Sequence, residues 1–139
     1  MTRLVGRPAI VIALFAVLTA SCGGGDGARE TGIRMLSTAD SAALLEDPPA
    51  DLTILDVRTL DEFNEGHLAG AERIDFSRAD FATQLASLER DTPYLIYCRS
   101  GNRSGQARAI MEDLGFSDVA DLDGGVLAWA DAGYELVMP

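Results

Sequence analysis

The chain has 139 residues, of which 47% are hydrophobic and 24% are charged, and its formal net charge at pH 7 is −11. This length suits one compact domain, and the acidic balance disfavours nucleic acid or an anionic lipid surface as an electrostatic partner. Lysine is absent from the sequence, which excludes Schiff-base catalysis and a phosphate-loop lysine.

The N-terminal segment has the pattern of an export signal. Two arginines precede an uncharged run, residues 8–21, which suits the apolar region of a signal peptide and is short for a bilayer span. The run leads into Leu-Thr-Ala-Ser-Cys (18–22), which resembles the lipobox of bacterial lipoproteins, although Thr19 stands where leucine is usual. The resemblance implies a signal peptide over 1–21 and a lipid anchor on Cys22. The domain would then sit outside the cytoplasm on a membrane of a bacterial cell envelope; simple secretion is the alternative.

Residues 22–32 are rich in glycine and predict a flexible linker, which leaves 33–139 as the folded domain. Hydrophobic periodicity and turn residues in that domain predict alternating strands and helices. In chain order these are a strand near Ile33, helix 38–46, strand 52–57, helix 59–65, a strand near 71–74, helix 80–90, strand 94–97, helix 104–115, a strand near 118–121 and a helix from about 125. Such alternation predicts an α/β fold with a parallel sheet.

The strand over 52–57 ends in charged residues. Asp56 falls at the carboxyl end of that strand, the edge where ligands bind in open α/β sheets, and Arg58 follows it. We favour a structural ion pair or a cap for these two residues over a catalytic role. His67, the only histidine, lies in a turn between elements, and for it too we favour a structural role over that of a general base.

The most informative feature is the junction at Cys98. The apolar run 94–97 predicts a short buried strand, and the helical pattern that follows predicts a helix with Ser104 as N-cap and Gly115 as C-cap. Between them lies the loop Cys-Arg-Ser-Gly-Asn-Arg-Ser, 98–104. Backbone N–H groups, a helix N-terminus and two arginines there favour an anion and lower the pKa of a thiol. We therefore interpret Cys98 as a nucleophile; the alternative is a buried, inert cysteine.

The length of this loop separates two chemistries. Cysteine phosphatases have five residues between the cysteine and the arginine of their signature, enough to surround a phosphate. Here only four residues, 99–102, separate Cys98 from Arg103. The shorter loop suits a smaller cargo, such as one additional sulfur atom on the thiolate.

Three segments in this order resemble the single-domain rhodaneses, the sulfurtransferase family, and among them the small exported members. The first is Leu-Asp-Val-Arg at 55–58 with its continuation to Ala71, the second is the loop 98–104, and the third is Leu-Asp-Gly-Gly at 122–125 with Ala128-Trp129 behind it. The resemblance covers about residues 33–137. It implies a three-layer α/β fold with a central parallel sheet of about five strands and helices on both faces.

The resemblance also implies a reaction. Cys98 would take the outer sulfur of an anionic donor such as thiosulfate as a persulfide and pass it to cyanide or a thiol. The N–H groups of Arg99, Ser100, Gly101, Asn102 and Arg103 would hold the persulfide, and Arg99 or Arg103 would receive the donor. By the same resemblance Asp56 and Arg58 are supports. No cofactor or metal is implied.

The sequence is compatible with other functions. A rhodanese-fold sulfur carrier, or a binding or sensing module with little turnover, is the main alternative. A small phosphatase or arsenate-reductase-like enzyme of the same fold is a second one. A disulfide between Cys22 and Cys98 is also possible by cysteine count, but it would disable the nucleophile. The Gly124-Gly125 pair predicts a loop that enters a helix, without the spacing of a dinucleotide site. We expect Trp129 and the stripe Phe81, Leu85 and Leu88 to belong to the core.

Overall fold

The computed structural model describes residues 30–139. The predicted signal peptide 1–21, the lipidation site Cys22 and most of the linker 22–32 lie outside the described residues. Among residues 30–139, no helix combines the length and the apolar character that a membrane span requires.

Ten elements alternate along the described chain, as the sequence predicts. They are β1 (Ile33–Leu36), α1 (Thr38–Glu46), β2 (Thr53–Asp56), α2 (Leu60–Glu65), β3 (Glu72–Arg73), α3 (Phe81–Ala86), β4 (Tyr94–Tyr97), α4 (Asn102–Asp113), β5 (Val119–Leu122) and α5 (Gly125–Asp131).

The five strands form one parallel sheet in the order β1-β5-β4-β2-β3. The central strand, β4, pairs with β5 on one side and β2 on the other, and all four of its residues are buried. Strands buried on both faces become continuously apolar, which is why Tyr-Leu-Ile-Tyr has no alternation. The predicted α/β class and parallel sheet are confirmed.

Helices cover both faces of the sheet, again as predicted. On one face, α3 and α4 pack through Phe81, Leu85 and Met111 against a cluster that includes Cys98. On the other, α1 and α5 pack around Leu44 and Trp129. Successive side chains of a strand point to opposite faces. Tyr97 therefore belongs to the α1/α5 side, whereas Cys98 belongs to the α3/α4 side. The core positions expected for Trp129, Phe81 and Leu85 are confirmed, and Leu88 packs against the core half-buried.

Two predicted helix boundaries are wrong. Helix α3 ends at Ala86 rather than near residue 90, because Ser87 donates its backbone N–H and its hydroxyl to the carbonyl of Gln84 and ends the helix. Helix α4 begins at Asn102, with Gly101 at the N-cap, so Ser104 lies in the first turn and is not the cap. Gly115 follows the C-cap Leu114 with a φ of +85°, close to its predicted place.

Candidate active site

Cys98 lies at the carboxyl end of the central strand. It follows β4 directly, and three loop residues later α4 begins. Its side chain is 1% exposed, and it is a free cysteine among residues 30–139. Parallel sheets bind ligands at this edge, so the thiol has the position that the sequence predicts for it.

The loop wraps hydrogen-bond donors around the sulfur. The backbone N–H of Gly101 lies 3.0 Å from Cys98 Sγ, and the hydroxyl of Ser104 lies 3.5 Å from it. Gly101 adopts a φ of +97°, a left-handed conformation that glycine takes without a Cβ clash. That conformation turns the Gly101 N–H towards the sulfur.

These donors decide the ionisation of the thiol. Burial raises the pKa of Cys98, but the hydroxyl of Ser104 and the backbone N–H groups of Ser104, Ser100 and Gly101 lower it by more. The net result is a pKa below the usual cysteine value, which favours the thiolate. Hydrogen bonds are thus the main cause of the lowered pKa, whereas the sequence pointed equally to the two arginines.

Ser104 is a functional residue whose role the sequence analysis missed. Its predicted role was to cap α4, whereas the structure buries its side chain completely beside the sulfur. The early start of α4 brings about this change, because it carries residue 104 into the first turn above Cys98. A hydroxyl residue six positions after the cysteine is the only local signal of it.

The two arginines of the loop have different surroundings. Arg103 makes a bidentate ion pair with Glu62 of α2, with Nη1–Oε2 and Nη2–Oε1 distances of 2.8 and 2.6 Å. This guanidinium holds the pKa of Glu62 at about 2, well below its usual range. Arg99 is exposed. The positive charge of Arg103 is therefore largely matched by a carboxylate, and Arg99 is the more accessible cation.

A small cleft lies beside the loop. It has a volume of about 240 Å³, and its lining includes Arg99, Arg58, Glu62 and the partly exposed Leu127. Two other residues of the predicted loop site, Ser100 and Asn102, are exposed. Of the five predicted loop residues, 99–103, only Arg99 lines this cleft, whereas Gly101 contacts the sulfur and Arg103 pairs with Glu62.

The glycine pair at the start of α5 supports the loop from behind. The N–H groups of Val126 and Leu127 donate to the carbonyls of Cys98 and Arg99 at 3.0 and 3.1 Å. A Cβ on Gly125 would lie 2.3 Å from the Cys98 carbonyl oxygen, and the residue has a φ of +58°. Only glycine permits this approach. The sequence predicts a loop that enters a helix here; the doubled glycine is the signal of a close backbone approach, but the contact with Cys98 was not predicted.

Asp56 and Arg58 form the ion pair that the sequence favoured. Arg58 Nη2 lies 2.6 Å from Asp56 Oδ2 and 2.7 Å from the carbonyl oxygen of Gly66, and both side chains are buried. Burial lowers the pKa of Arg58, but the hydrogen bond and charge of Asp56 raise it by more. The pair ties the end of β2 to the turn after α2. Their role as supports of the site stays a prediction.

His67 also has structural surroundings. Its ring stacks on Phe63 with a centroid distance of 3.7 Å, and Nδ1 lies 3.0 Å from the Phe63 carbonyl oxygen. Its backbone pairs with Val137. These contacts agree with the structural role favoured from the sequence.

Residues 30–139 contain no group of three or more histidine, cysteine, aspartate or glutamate side chains arranged to hold a metal ion. The described site offers a buried, hydrogen-bonded thiol whose pKa is lowered, followed in the chain by an exposed guanidinium. The thiolate form of such a thiol is a nucleophile for a soft electrophile such as sulfur.

Known proteins resemble this chain in sequence and in fold. The family model for the rhodanese-like domain matches residues 37–132. Thiosulfate sulfurtransferase GlpE of Pseudoalteromonas translucida is 34% identical over 102 residues, which cover 73% of this chain and 93% of that protein. The probable adenylyltransferase/sulfurtransferase MoeZ of Mycobacterium tuberculosis is 38% identical over 84 residues. Those residues cover 60% of this chain and only 21% of MoeZ.

Among solved structures, a rhodanese-related protein from Thermoplasma volcanium superposes with a TM-score of 0.67 and 31% identity. The superposition covers 76% of this chain and 99% of that one. The family match spans more than half of the sequence and includes the Cys98 loop and the glycine pair that supports it. This chain belongs to the rhodanese-like domain family, whose sulfurtransferase members support sulfur transfer as its general chemistry.

Proposed function

We propose that the protein moves sulfane sulfur from a thiosulfate-like donor to a thiophilic acceptor, cyanide or a thiol, through a persulfide on Cys98. The observation that carries the proposal is the donor set around the sulfur: the N–H of Gly101 at 3.0 Å and the hydroxyl of Ser104 at 3.5 Å from Sγ. Such donors stabilise an anionic sulfur in a water-poor place. The name of the similar GlpE protein, thiosulfate sulfurtransferase, supports the choice of donor.

In the first half-reaction, the Cys98 thiolate attacks the outer sulfur of thiosulfate. A new sulfur–sulfur bond forms on Cys98, the sulfur–sulfur bond of thiosulfate breaks, and sulfite leaves with the bonding electron pair. No proton moves, because the thiolate is already formed and the persulfide keeps the negative charge. The lowered pKa of Cys98 favours that starting state.

In the second half-reaction, the acceptor takes the outer sulfur. Cyanide attacks this atom, the persulfide bond breaks, and thiocyanate leaves while the Cys98 thiolate is restored. The leaving thiolate returns to the same N–H groups that held it before. These donors therefore serve both the resting thiolate and the departing one.

Arg99 is the residue that we expect to receive the donor. It is exposed on the cleft beside the loop, whereas Arg103 is paired with Glu62. A doubly negative donor approaching a chain of net charge −11 needs local attraction. Arg99 supplies that attraction at the cleft beside the thiol loop.

The test is thiocyanate formation from thiosulfate and cyanide by the full-length protein in a mild detergent. The protein mass is measured after treatment with thiosulfate alone. We expect turnover and a mass gain of one sulfur atom in the wild type, and neither in Cys98→Ser. Cys22→Ser, which removes the other cysteine of the chain, is the matched control and should keep both.

Two outcomes contradict parts of this proposal. A wild type with reduced Cys98 that gains no sulfur and forms no thiocyanate would overturn sulfur transfer from thiosulfate. A stable persulfide without turnover would replace the enzyme by a sulfur carrier of the same fold.

We also propose that the chain is exported and anchored by a lipid on Cys22, with its domain outside the cytoplasm at a membrane of the bacterial cell envelope. The support is the sequence of residues 1–22: two arginines, an uncharged run and the lipobox-like ending. Metabolic labelling with an alkyne fatty acid tests this. Label should enter the wild type and be absent from Cys22→Ser; an unlabelled wild type retained in the cytoplasm would refute anchoring.

A further inference from the structure

The sheet has a gap in its helical cover on the face opposite Cys98. Ile54 belongs to an inner strand, since β2 lies between β4 and β3, and it pairs in register with the fully buried Leu95. It packs against the cluster around α1 and α5, yet it is only partly buried, as is Leu52 just before the strand. Inner strands of parallel sheets are normally covered on both faces, so this apolar surface is available to a ligand.

A cavity occupies this gap. Its volume is about 520 Å³, against about 240 Å³ for the cleft beside the thiol loop. Ile54 and Leu52 lie on its lining, together with Leu45 of α1, Trp129 of α5 and Leu68. Small-molecule sites in proteins have volumes of this order and are mostly apolar. The cavity therefore has the size and the lining of a ligand site.

Hydrogen bonds fix two walls of the cavity. The backbone N–H of Leu52 donates to the carbonyl oxygen of Pro49 at 3.1 Å, which closes the turn before β2. The backbone N–H of Leu68 donates to the hydroxyl of Tyr97 at 3.1 Å, which ties the turn after α2 to the central strand. Walls held in this way are already in place before a ligand arrives, and such preorganisation favours binding.

The side chains of the lining offer no free hydrogen-bond donor to an anion. Trp129 carries the only N–H or O–H group among them, and its Nε1 donates to the carbonyl oxygen of Glu135 at 3.0 Å. The ring of Tyr134 packs on the indole with a centroid distance of 4.6 Å and helps to hold it in place. An anionic ligand would therefore exchange its hydration for apolar side chains, which is costly.

The charge around this cavity is negative. Glu135 is the only charged residue of the lining, and it is exposed. The residues next to the lining positions in the chain include the acids Glu46 and Asp51 and no lysine or arginine. The cleft beside the thiol loop differs, because the exposed Arg99 lies on its lining. An apolar cavity with a carboxylate favours a ligand that combines an apolar body with a positive charge.

We propose that this cavity is a binding site for an organic cation with an apolar body, an alkyl- or arylammonium ion. The apolar part covers Ile54 and Leu52 and fills the gap in the helical layer, and the ammonium group pairs with the Glu135 carboxylate. Burial of the apolar part supplies most of the affinity, whereas Glu135 selects the sign of the charge. The site lies on the other face of the sheet from Cys98 and is independent of the proposed sulfur transfer.

The test uses three probes that share one alkyl chain and differ in charge: hexylammonium, hexanol and hexanoate. The full-length protein is bound to phosphatidylcholine vesicles, so that no detergent competes for the cavity. Trp129 is the only tryptophan of the chain, and its fluorescence therefore reports on the cavity alone. We expect a saturable change with hexylammonium at millimolar concentrations. Hexanol should bind roughly fivefold more weakly, and hexanoate more weakly still.

Filling the cavity should remove the binding. Ala69 is exposed and lies on the lining, so Ala69→Leu should abolish the saturable change in Trp129 fluorescence. The matched control is Ala43→Leu, the same substitution at an exposed alanine of α1 that is not on this lining, and it should bind as the wild type does. If Ala69→Leu does not fold, Ala50→Leu places the same side chain at another exposed position of the lining.

Glu135→Gln tests the charge of the ligand. It should leave the binding of hexanol unchanged and weaken that of hexylammonium to the level of hexanol, because the carboxylate that attracts the ammonium group is gone. No saturable change with any of the three probes, or undiminished binding in a folded Ala69→Leu, would overturn the site. Equal binding of hexylammonium and hexanoate to the wild type would overturn the assignment of a cation.

Discussion

Two neighbouring strands of the sheet, β2 and β4, end at the same edge, and each stabilises a buried charge there in a different way. At the end of β2, Asp56 and Arg58 place two full charges in the interior and pair them at 2.6 Å. After β4, Cys98 places one potential anion there and surrounds it with N–H and hydroxyl donors. A charge matched by a countercharge is held in place and chemically inert. A charge matched by dipoles keeps its reactivity, because no bound partner must leave before a substrate arrives.

The arginines follow the same division. Arg103 is held by Glu62 and links α4 to α2, whereas Arg99 remains exposed at the cleft. The sequence pattern of two arginines in one loop therefore combines one structural residue and one candidate binding residue. The following variants test this separation, from the largest expected effect on folding to the smallest.

Breaking the buried pair should cost the most stability. Asp56→Ala leaves the Arg58 guanidinium buried without its countercharge, and we expect a loss of about 3–5 kcal/mol in the free energy of unfolding. Urea denaturation followed by circular dichroism measures it. The exposed pair of Arg78 and Asp80 is the matched control, and Asp80→Ala should change little. Similar losses for both variants would contradict a special role for the buried pair.

Gly125→Ala should disrupt the support of the thiol loop. Its Cβ would meet the carbonyl oxygen of Cys98 at 2.3 Å, so either the loop or α5 must move. We expect a loss of about 2–4 kcal/mol in the free energy of unfolding, together with most of the reactivity of Cys98 towards iodoacetamide.

Gly133→Ala is the control for that prediction, because Gly133 also has a positive φ, +84°, but has open space at its Cβ position. It should show only the cost of the left-handed conformation, about 1–2 kcal/mol, with normal Cys98 reactivity. Equal losses of unfolding free energy and of Cys98 reactivity in the two alanine variants would show that the close contact of Gly125 with the Cys98 carbonyl is unimportant.

The ion pair of Glu62 and Arg103 should make the free energy of unfolding depend on pH in the acid range. The pKa of Glu62 is lowered to about 2, so its contribution is complete above the unfolded-state pKa of about 4.3 and is lost as the pH falls towards 2. Glu62→Gln should lower the free energy of unfolding at pH 7 by about 1 kcal/mol. In Glu62→Gln the melting temperature should also fall less between pH 5 and pH 2 than in the wild type, because no carboxylate at position 62 becomes protonated.

Glu65→Gln, at the exposed end of the same helix, should keep the wild-type acid profile. Parallel acid profiles for the wild type and Glu62→Gln would show that Glu62 does not titrate as described.

Arg99→Gln should leave folding unchanged and affect only donor binding. If Arg99 attracts the anionic donor, the KM for thiosulfate should rise about five- to tenfold at low salt with little change in kcat, and the difference should shrink as salt is added. Arg90→Gln, remote from the loop, serves as the control. An unchanged KM in Arg99→Gln, with an increase in Arg103→Gln, would reverse the roles of the two arginines.

The sequence predicted those features that depend on neighbouring residues. The order of all ten elements, the parallel sheet and the position of Cys98 follow from hydrophobic runs, turns and caps that lie within a few residues of one another. The Arg103 ion pair joins residues 41 positions apart, and the contact of Gly125 with the Cys98 carbonyl joins two separate turns. The doubled glycine signals a close backbone approach at Gly125, but nothing in the local sequence of either pair identifies the partner.

Ser104 illustrates the same limit on a smaller scale. Its place in the sequence satisfies the rule for an N-cap, but the loop needs the N–H of Gly101 at the sulfur, so α4 begins earlier. The start of α4 at Asn102 therefore fits the hydrogen bond from Gly101 to the thiol and not the capping preference of serine.

The order of the strands also bears on how the domain is assembled during synthesis. The first described strand, β1, pairs with β5, the last one, and β5 lies between β1 and β4. While residues 119–122 are still inside the ribosome, β1 lacks its neighbour and the carbonyl of Cys98 lacks the N–H of Val126. A nascent chain cannot complete the support of its thiol loop until β5 and the start of α5 have emerged. A premature stop before residue 119 would thus remove an interior strand of the sheet, and the thiol would remain unsupported.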